Sequence, residues 1–332
     1  MRASLPVHLP GGEEVCESRC MGSAHREGLV EVGDGVFAYL QRDGGWGWSN
    51  AGLVCADDRS LLVDTLFDMT LTRTMLDTMA PLTESAPIGT IVNTHANGDH
   101  CYGNAAVDAD EIIASEASAR EMDEVPASML AAMVAMAPDM GDVGAYVERI
   151  FGTFRFDEVE PAPPSRTFTG SLTVDVGDVR LHLVDVGPAH TGGDVLVEVP
   201  DRSIVFTGDI LFNGGTPVVW AGPFGNWIAA CDRIIDAGWE TIVPGHGQLA
   251  DADDVRVLRD YLTWLLDEVR PRQASGMSVE ETIGDIDLGA WADLGESERL
   301  AVNVDTAFAE LDPSHQRADA ITSFTRMAAL AR

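Results

Sequence analysis

Several apolar runs in this chain are short enough to be β-strands and end on a histidine or an aspartate. "SLLVDT" reaches Asp64, and "IGTIVNT" runs into His95, Asp99 and His100; "LVDVGPA" leads to His190, "RSIVFTGD" to Asp209 and "TIVPG" to His246. A sheet whose strand ends carry such residues gathers them on loops at one rim, an arrangement suited to holding metal ions. Four of the eight histidines occupy these positions. The others do not: His8, His25 and His315 sit in polar surroundings, and His182 alternates with Leu181 and Leu183 as a packed or surface strand residue.

The rest of the chain fits a sheet scaffold clad by helices. Residues 1–28 mix Pro, Gly and polar residues without periodicity and read as a tail. "LVEVG", "VFAYLQ", "NAGLVCA" and "SLLVDT" follow as closely spaced strands, which favours antiparallel hairpins. A helix over "LTRTMLDTMAPL" precedes the buried strand that ends at His95. Residues 116–160 form a helical insert rich in Ala and Met, with Met129, Met133, Met136 and Met140 at helical spacing. Its plain reading is an amphipathic helix packed on the core; its functional reading is an adaptable apolar lid. Strands return over "SLTVDVGDVRLHLVDVG", "DVLVEVP" and "RSIVF", "GNWIAACDRIIDAG" reads as a helix, and residues 251–332 are helical and pack on the same domain of residues 29–250.

Composition excludes some partners. The 21 basic and 54 acidic residues give a formal charge of −33, so nucleic acid and anionic membrane surfaces are poor partners. No apolar run approaches the ~20 residues that span a bilayer. "MRASLPVHLPGGEEVCESRC" has no apolar stretch like that of a secretory signal, so a cytoplasmic location is expected. Five scattered cysteines do not suggest a disulfide framework, and Cys16 and Cys20 near His25 read as loose thiols rather than a zinc knuckle. Cys101 follows a candidate ligand, where burial is the simpler reason for a small thiol. Gly192 and Gly193 are expected to let the backbone turn tightly after His190.

"THANGDH", "GPAHTGGD", "TGD" and "PGHG", in that order, resemble the metallo-β-lactamase-fold superfamily over roughly Val30 to Gly247. The resemblance implies an α/β fold, an αββα sandwich, with two divalent metal ions at one edge. It implies one ion on His95, His190 and the residue at position 97, and the other on Asp99, His100 and His246, with Asp209 bridging. Asp64 matches a structural aspartate that supports the metal loop without being a ligand. Asp99 and Asp209 are the expected catalytic carboxylates.

The chain departs from the superfamily's H-x-H-x-D-H loop in one place: Asn97 stands where a second histidine is usual. A neutral amide oxygen is a weaker, harder donor than imidazole, and zinc favours N and S ligands. What remains resembles the 2-His-1-carboxylate face of non-heme iron. The expectation is a diiron monooxygenase of natural-product biosynthesis, hydroxylating a bulky, mainly apolar, terpenoid-like molecule with O₂ and an external electron donor. The alternative is a dizinc hydrolase of an ester, thioester or lactam; a non-catalytic binding protein would need more ligands lost. Trp220 and Trp227 either line the same cavity or anchor the fold. Nothing in the sequence sets the oligomeric state.

Overall fold

The runs SLLV (60–63) and VLVEV (195–199) are buried at every position, which a strand achieves only when both faces are covered. The computed structural model describes residues 26–42 and 44–331 and shows what covers them. His8, Cys16, Cys20 and His25, with most of the expected tail, lie outside the described residues.

Among the described residues the first sheet runs, in spatial order, β1 (Gly28–Gly33), β2 (Val36–Leu40), β3 (Ala51–Cys55), β4 (Ser60–Val63), β5 (Ile88–Val92), β6 (Glu111–Ser115) and β7 (Arg166–Phe168). The hairpin-linked strands β1 to β4 are antiparallel, and β4 to β7 are parallel. The second sheet contains β8 (Ser171–Val176), β9 (Val179–Asp185), β10 (Val195–Val199), β11 (Ile204–Phe206) and β12 (Thr241–Val243), in the order β12-β11-β10-β9-β8. Only β11 and β12 are parallel in it.

Side-chain parity decides which layer each residue joins. On β4, Leu61 and Val63 meet β9 and β10 between the sheets, while Leu62 faces outward to Met75 and Met79. On β10, Val195, Val197 and Val199 point inward and Leu196 points to the other helical layer. Each such side chain contributes about 1.5–3 kcal/mol by leaving water. The first outer layer is α1 (Met69–Thr83), started by Asp68, whose carboxylate accepts Leu71 N–H at 2.7 Å. A single turn, α2 (Gly98–Cys101), follows β5.

The insert holds α3 (Glu116–Glu121), α4 (Ala127–Met136) and α5 (Gly141–Phe151). The four methionines do not share one helix: α4 stops at Met136, Pro138 sits in the following 3₁₀ turn, and Met140 lies beyond it. Met129 and Met136 are about half exposed, whereas Met133 packs on the core. The second outer layer is α6 (Phe224–Ala237) and α7 (Ala252–Ala274), continued by α8 (Val279–Asp285), α9 (Leu300–Leu311) and α10 (Ala320–Leu330). No helix of the described residues is long and apolar enough to cross a membrane.

Candidate metal centre

Parallel pairing explains why distant residues meet. Because β4 runs parallel to β5, and β11 to β12, the residues that follow all four strands emerge at one edge. Asp64 leaves β4 in the left-handed region at φ 61°, an arrangement costing roughly 1–2 kcal/mol for a residue with a Cβ. Its carboxylate offsets that cost by accepting Thr94 N–H and Thr94 Oγ1–H, each at 2.7 Å. The same carboxylate holds His100 Nδ1 at 2.9 Å. Asp64 therefore orients the metal loop and, as expected, stands behind the centre rather than in it.

All four histidines are tied at Nδ1. His95 meets Thr94 Oγ1 at 3.0 Å, His100 meets Asp64, His190 meets the Val218 carbonyl at 2.7 Å, and His246 meets the Gly44 carbonyl at 3.1 Å. Each Nε2 is thereby turned inward, towards Asp209. Asp209 Oδ2 lies 3.6 Å from His95 Nε2 and 3.3 Å from His190 Nε2. Its Oδ1 lies 3.1 Å from His100 Nε2 and 3.5 Å from His246 Nε2. Asp99 Oδ2 approaches His246 Nε2 at 3.3 Å. Two buried ligand sets result, His95–His190–Asp209 and Asp99–His100–His246, each with its donor atoms within 4.8 Å of one another.

These residues fit a pair of divalent cations. His95 Nε2 is buried with no hydrogen-bond partner among the described residues, and His100 Nε2 and Asp209 Oδ1, though 3.1 Å apart, lack hydrogen-bond geometry, an arrangement proteins avoid unless a ligand satisfies it. Space is also reserved: a Cβ on Gly245 would lie 2.0 Å from Asp209 Oδ1, and one on Gly44 would lie 2.4 Å from Gly247 N. Glycine at 44, with φ 65°, lets its carbonyl reach His246.

The two sets differ electrically. Burial, together with the neighbouring His100, holds His95 well below its ordinary pKa, and burial lowers His190 to about 4. Burial also opposes charge on His100 and His246. There the carboxylates win: Asp209 and Asp64 hold His100 well above its usual value, and Asp209 and Asp99 raise His246 to about 9. Asp209, despite its burial, is held well below the carboxylate range by His246, His100 and His95. The first set thus presents free imidazole lone pairs, and the second holds protons that a cation must displace.

Asn97 sits beside the first set, its amide Nδ2 3.0 Å from His190 Nε2. His190 gives its Nδ1 proton to Val218, so Nε2 accepts from the amide. A cation held by His190 Nε2 would compete for that lone pair, and Asn97 could offer its Oδ1 there only if the amide turned over. Cys101 is buried, donating towards the Ala96 and Asn97 carbonyls, with its thiol pushed up by burial. His182 lies on β9 and His315 pairs with Asp305, both away from the centre. Trp227 is fully buried, donates to the Ile210 carbonyl and packs edge-on against His190, so it is an anchor. Trp220 is only partly buried and lies 6.4 Å from Trp46. Neither Gly192 nor Gly193 makes a left-handed turn; glycine is needed at 193 by crowding, since a Cβ would lie 2.3 Å from Ser115 Oγ and 2.5 Å from Ser118 N, whereas at 192 it would meet only the carboxylate end of Glu121.

Phe212, stacked on His246 at 5.1 Å and 10°, was not signalled by any motif, nor was Arg299, which faces Phe212 and Trp46.

The family model described as the metallo-beta-lactamase superfamily matches residues 44–246. The chain belongs to that superfamily. The proteins that it resembles differ in what they are named for. The 2,4-dinitroanisole O-demethylase subunit alpha of Nocardioides sp. (strain JS1661) is 25% identical over 223 residues, 65% of this chain and 54% of that one. The acyl-coenzyme A thioesterase MBLAC2 of Gallus gallus is 26% identical over 113 residues, 32% of this chain and 40% of that one. The chain therefore spans about half the length of the first relative and less of the second. In fold it matches the sec-alkylsulfatase Pisa1 from Pseudomonas sp., with a TM-score of 0.65 at 16% identity, over 86% of this chain and 50% of that one. It also matches the DIM-1 metallo-beta-lactamase, with a TM-score of 0.52 at 16% identity, over 73% and 99%.

Proposed function

We propose that the protein is a two-metal hydrolase that cleaves an ester, thioester or activated ether bond in a bulky, mainly apolar small molecule. The observation that carries this reading is Asp209, whose two oxygens each face a different pair of imidazole nitrogens. Cations bound there would lower the pKa of water and polarise the scissile bond. Asp209 would hold both ions at a fixed separation. Burial opposes ionisation of Asp99, but His246 and His100 keep its carboxyl below the usual range, so it is ionised at neutral pH and would orient an attacking water by accepting its hydrogen bond. Partly buried Trp46, two residues from Gly44, which holds His246, and Trp220, one from Ala221, which bonds the His190 carbonyl, lie 6.4 Å apart and offer an aromatic surface there. A relative named as a thioesterase supports hydrolysis, and one named as an O-demethylase supports cleavage of an ether by either this reading or the next.

A second reading, an O₂-dependent diiron monooxygenase, is favoured by Asn97. With a weak amide donor beside them, His95, His190 and Asp209 form a two-histidine, one-carboxylate face. Metal analysis of protein purified without added metal, followed by turnover with and without O₂, separates the two. Two zinc ions and anaerobic turnover are expected. Two irons with O₂ uptake on reduction, and no anaerobic turnover, would establish the second reading instead. Asn97→His should tighten zinc binding at the first set by about tenfold and preserve hydrolysis.

A further inference from the structure

The family match ends at residue 246, yet residues beyond it touch the supports of the centre. Asn303 on α9 is completely buried. Its Oδ1 accepts Val219 N–H at 2.8 Å and its Nδ2 donates to the Pro217 carbonyl at 2.8 Å. The side chain thus brackets Val218, whose carbonyl takes His190 Nδ1. One turn on, Thr306 Oγ1 donates to the Val219 carbonyl at 2.7 Å, fixing the same strip.

Arg299, just before α9, does the corresponding work at the other set. It is 1% exposed and donates from Nη1 to the Thr216 carbonyl at 2.8 Å. Its guanidinium lies 4.3 Å from the Trp46 ring centre and 5.1 Å from that of Phe212. Phe212 stacks on His246 and bridges to it through the backbone. Trp46 stands two residues from Gly44, whose carbonyl holds His246 Nδ1, and its Nε1 donates to Glu298 Oε1 at 3.3 Å. Trp46, Arg299, Phe212 and His246 form one column. A buried guanidinium is expensive to desolvate, so a position that only filled space would be better served by Leu or Met. A planar cation between two rings gains from both faces and fixes their spacing.

We propose that the segment Glu298–Thr306 is a buttress of the metal centre, in which Arg299 is a positioning residue for His246 and Asn303 for His190. This rests on the two-cation reading of the centre. The experiment titrates metal-free protein with zinc and with cobalt, whose visible spectrum reports each site, for wild type, Arg299→Met and Asn303→Leu. Arg299→Met should weaken the Asp99–His100–His246 site by about 10- to 100-fold and leave the other unchanged; Asn303→Leu should do the reverse. A general loss of stability cannot produce that crossover. Parallel weakening of both sites, or of neither, overturns the proposal. A rise in KM alone with metal uptake intact also overturns it, and would make Arg299 a substrate contact. Should either variant fail to fold, Trp46→Leu tests the column from its loop end and Asn303→Asp tests the bracket with its acceptor kept. If wild type takes up no cation, the metal reading fails. The ¹⁵N imidazole resonances of metal-free protein then decide the buttress itself: His246 must move in Arg299→Met and His190 in Asn303→Leu, and unmoved resonances overturn it.

Discussion

At the scale of single residues, the centre depends as much on what is missing as on what binds. Gly245 leaves room for Asp209 Oδ1, and an added methyl would sit 2.0 Å from that oxygen, far inside contact distance. The methyl would also lie 2.6 Å from the Gly208 carbonyl carbon, so Gly245→Ala should shift the Gly208–Asp209 backbone with the shared carboxylate and weaken both cations by about 10- to 100-fold. Circular dichroism should be unchanged, and two tight equivalents in a zinc titration would refute this. The ligands themselves were legible because each follows a strand-like run, and their order resembled a known pattern. Gly44, Phe212 and Asn303 were not, because their roles come from contacts across long stretches of chain. Gly44 is 202 positions from the histidine it orients, and Asn303 is 84 positions from the Val219 amide it holds. Asn97 was legible as a departure, but its contact with His190 Nε2 required coordinates.

At the scale of elements, alternation along the strands predicted which runs are buried but not which layer each face meets. The sheets have to be paired before Leu61 and Leu62 can be assigned to different cores. Leu62→Ala opens space beneath α1, on the side of the sheet facing away from the other sheet. It should cost about 2–5 kcal/mol of stability, read as a lower urea midpoint, with zinc affinity intact. A matching loss of zinc affinity would mean that the α1 layer reaches the centre, contrary to the packing described. The insert was legible as helical, and its interruption at Pro138 follows from proline lacking an amide donor. Its attachment was not legible: Tyr102, just after α2, donates to the Val125 carbonyl and stacks with Phe67.

At the scale of the whole molecule, metal and fold are linked. Cations that bind only the folded chain stabilise it by about 2.7 kcal/mol at a hundredfold excess over their Kd, so chelation should lower Tm. pH should modulate this unequally. His246, raised to about 9 by Asp209 and Asp99 despite burial, keeps its proton below that pH, and a cation must evict it. His100 in the same set is also held well above its usual value, so affinity at the Asp99–His100–His246 set should rise with pH through about 9. His190, lowered to about 4 by burial, is neutral across that range with its one proton on Nδ1, so a cation displaces none from Nε2 and the other set should be nearly flat. Calorimetric titrations in buffers of different ionisation heat measure both slopes, and equal slopes would refute the asymmetry. A formal charge of −33 raises cation concentration near the surface, an effect that salt should diminish.

The unequal proton load has a further result. Seats that fill at different acidities fill one after the other. Each offers two imidazoles and one oxygen of Asp209, but the first adds only a pliable amide where the second adds a carboxylate. Such a pair of seats need not hold the same element.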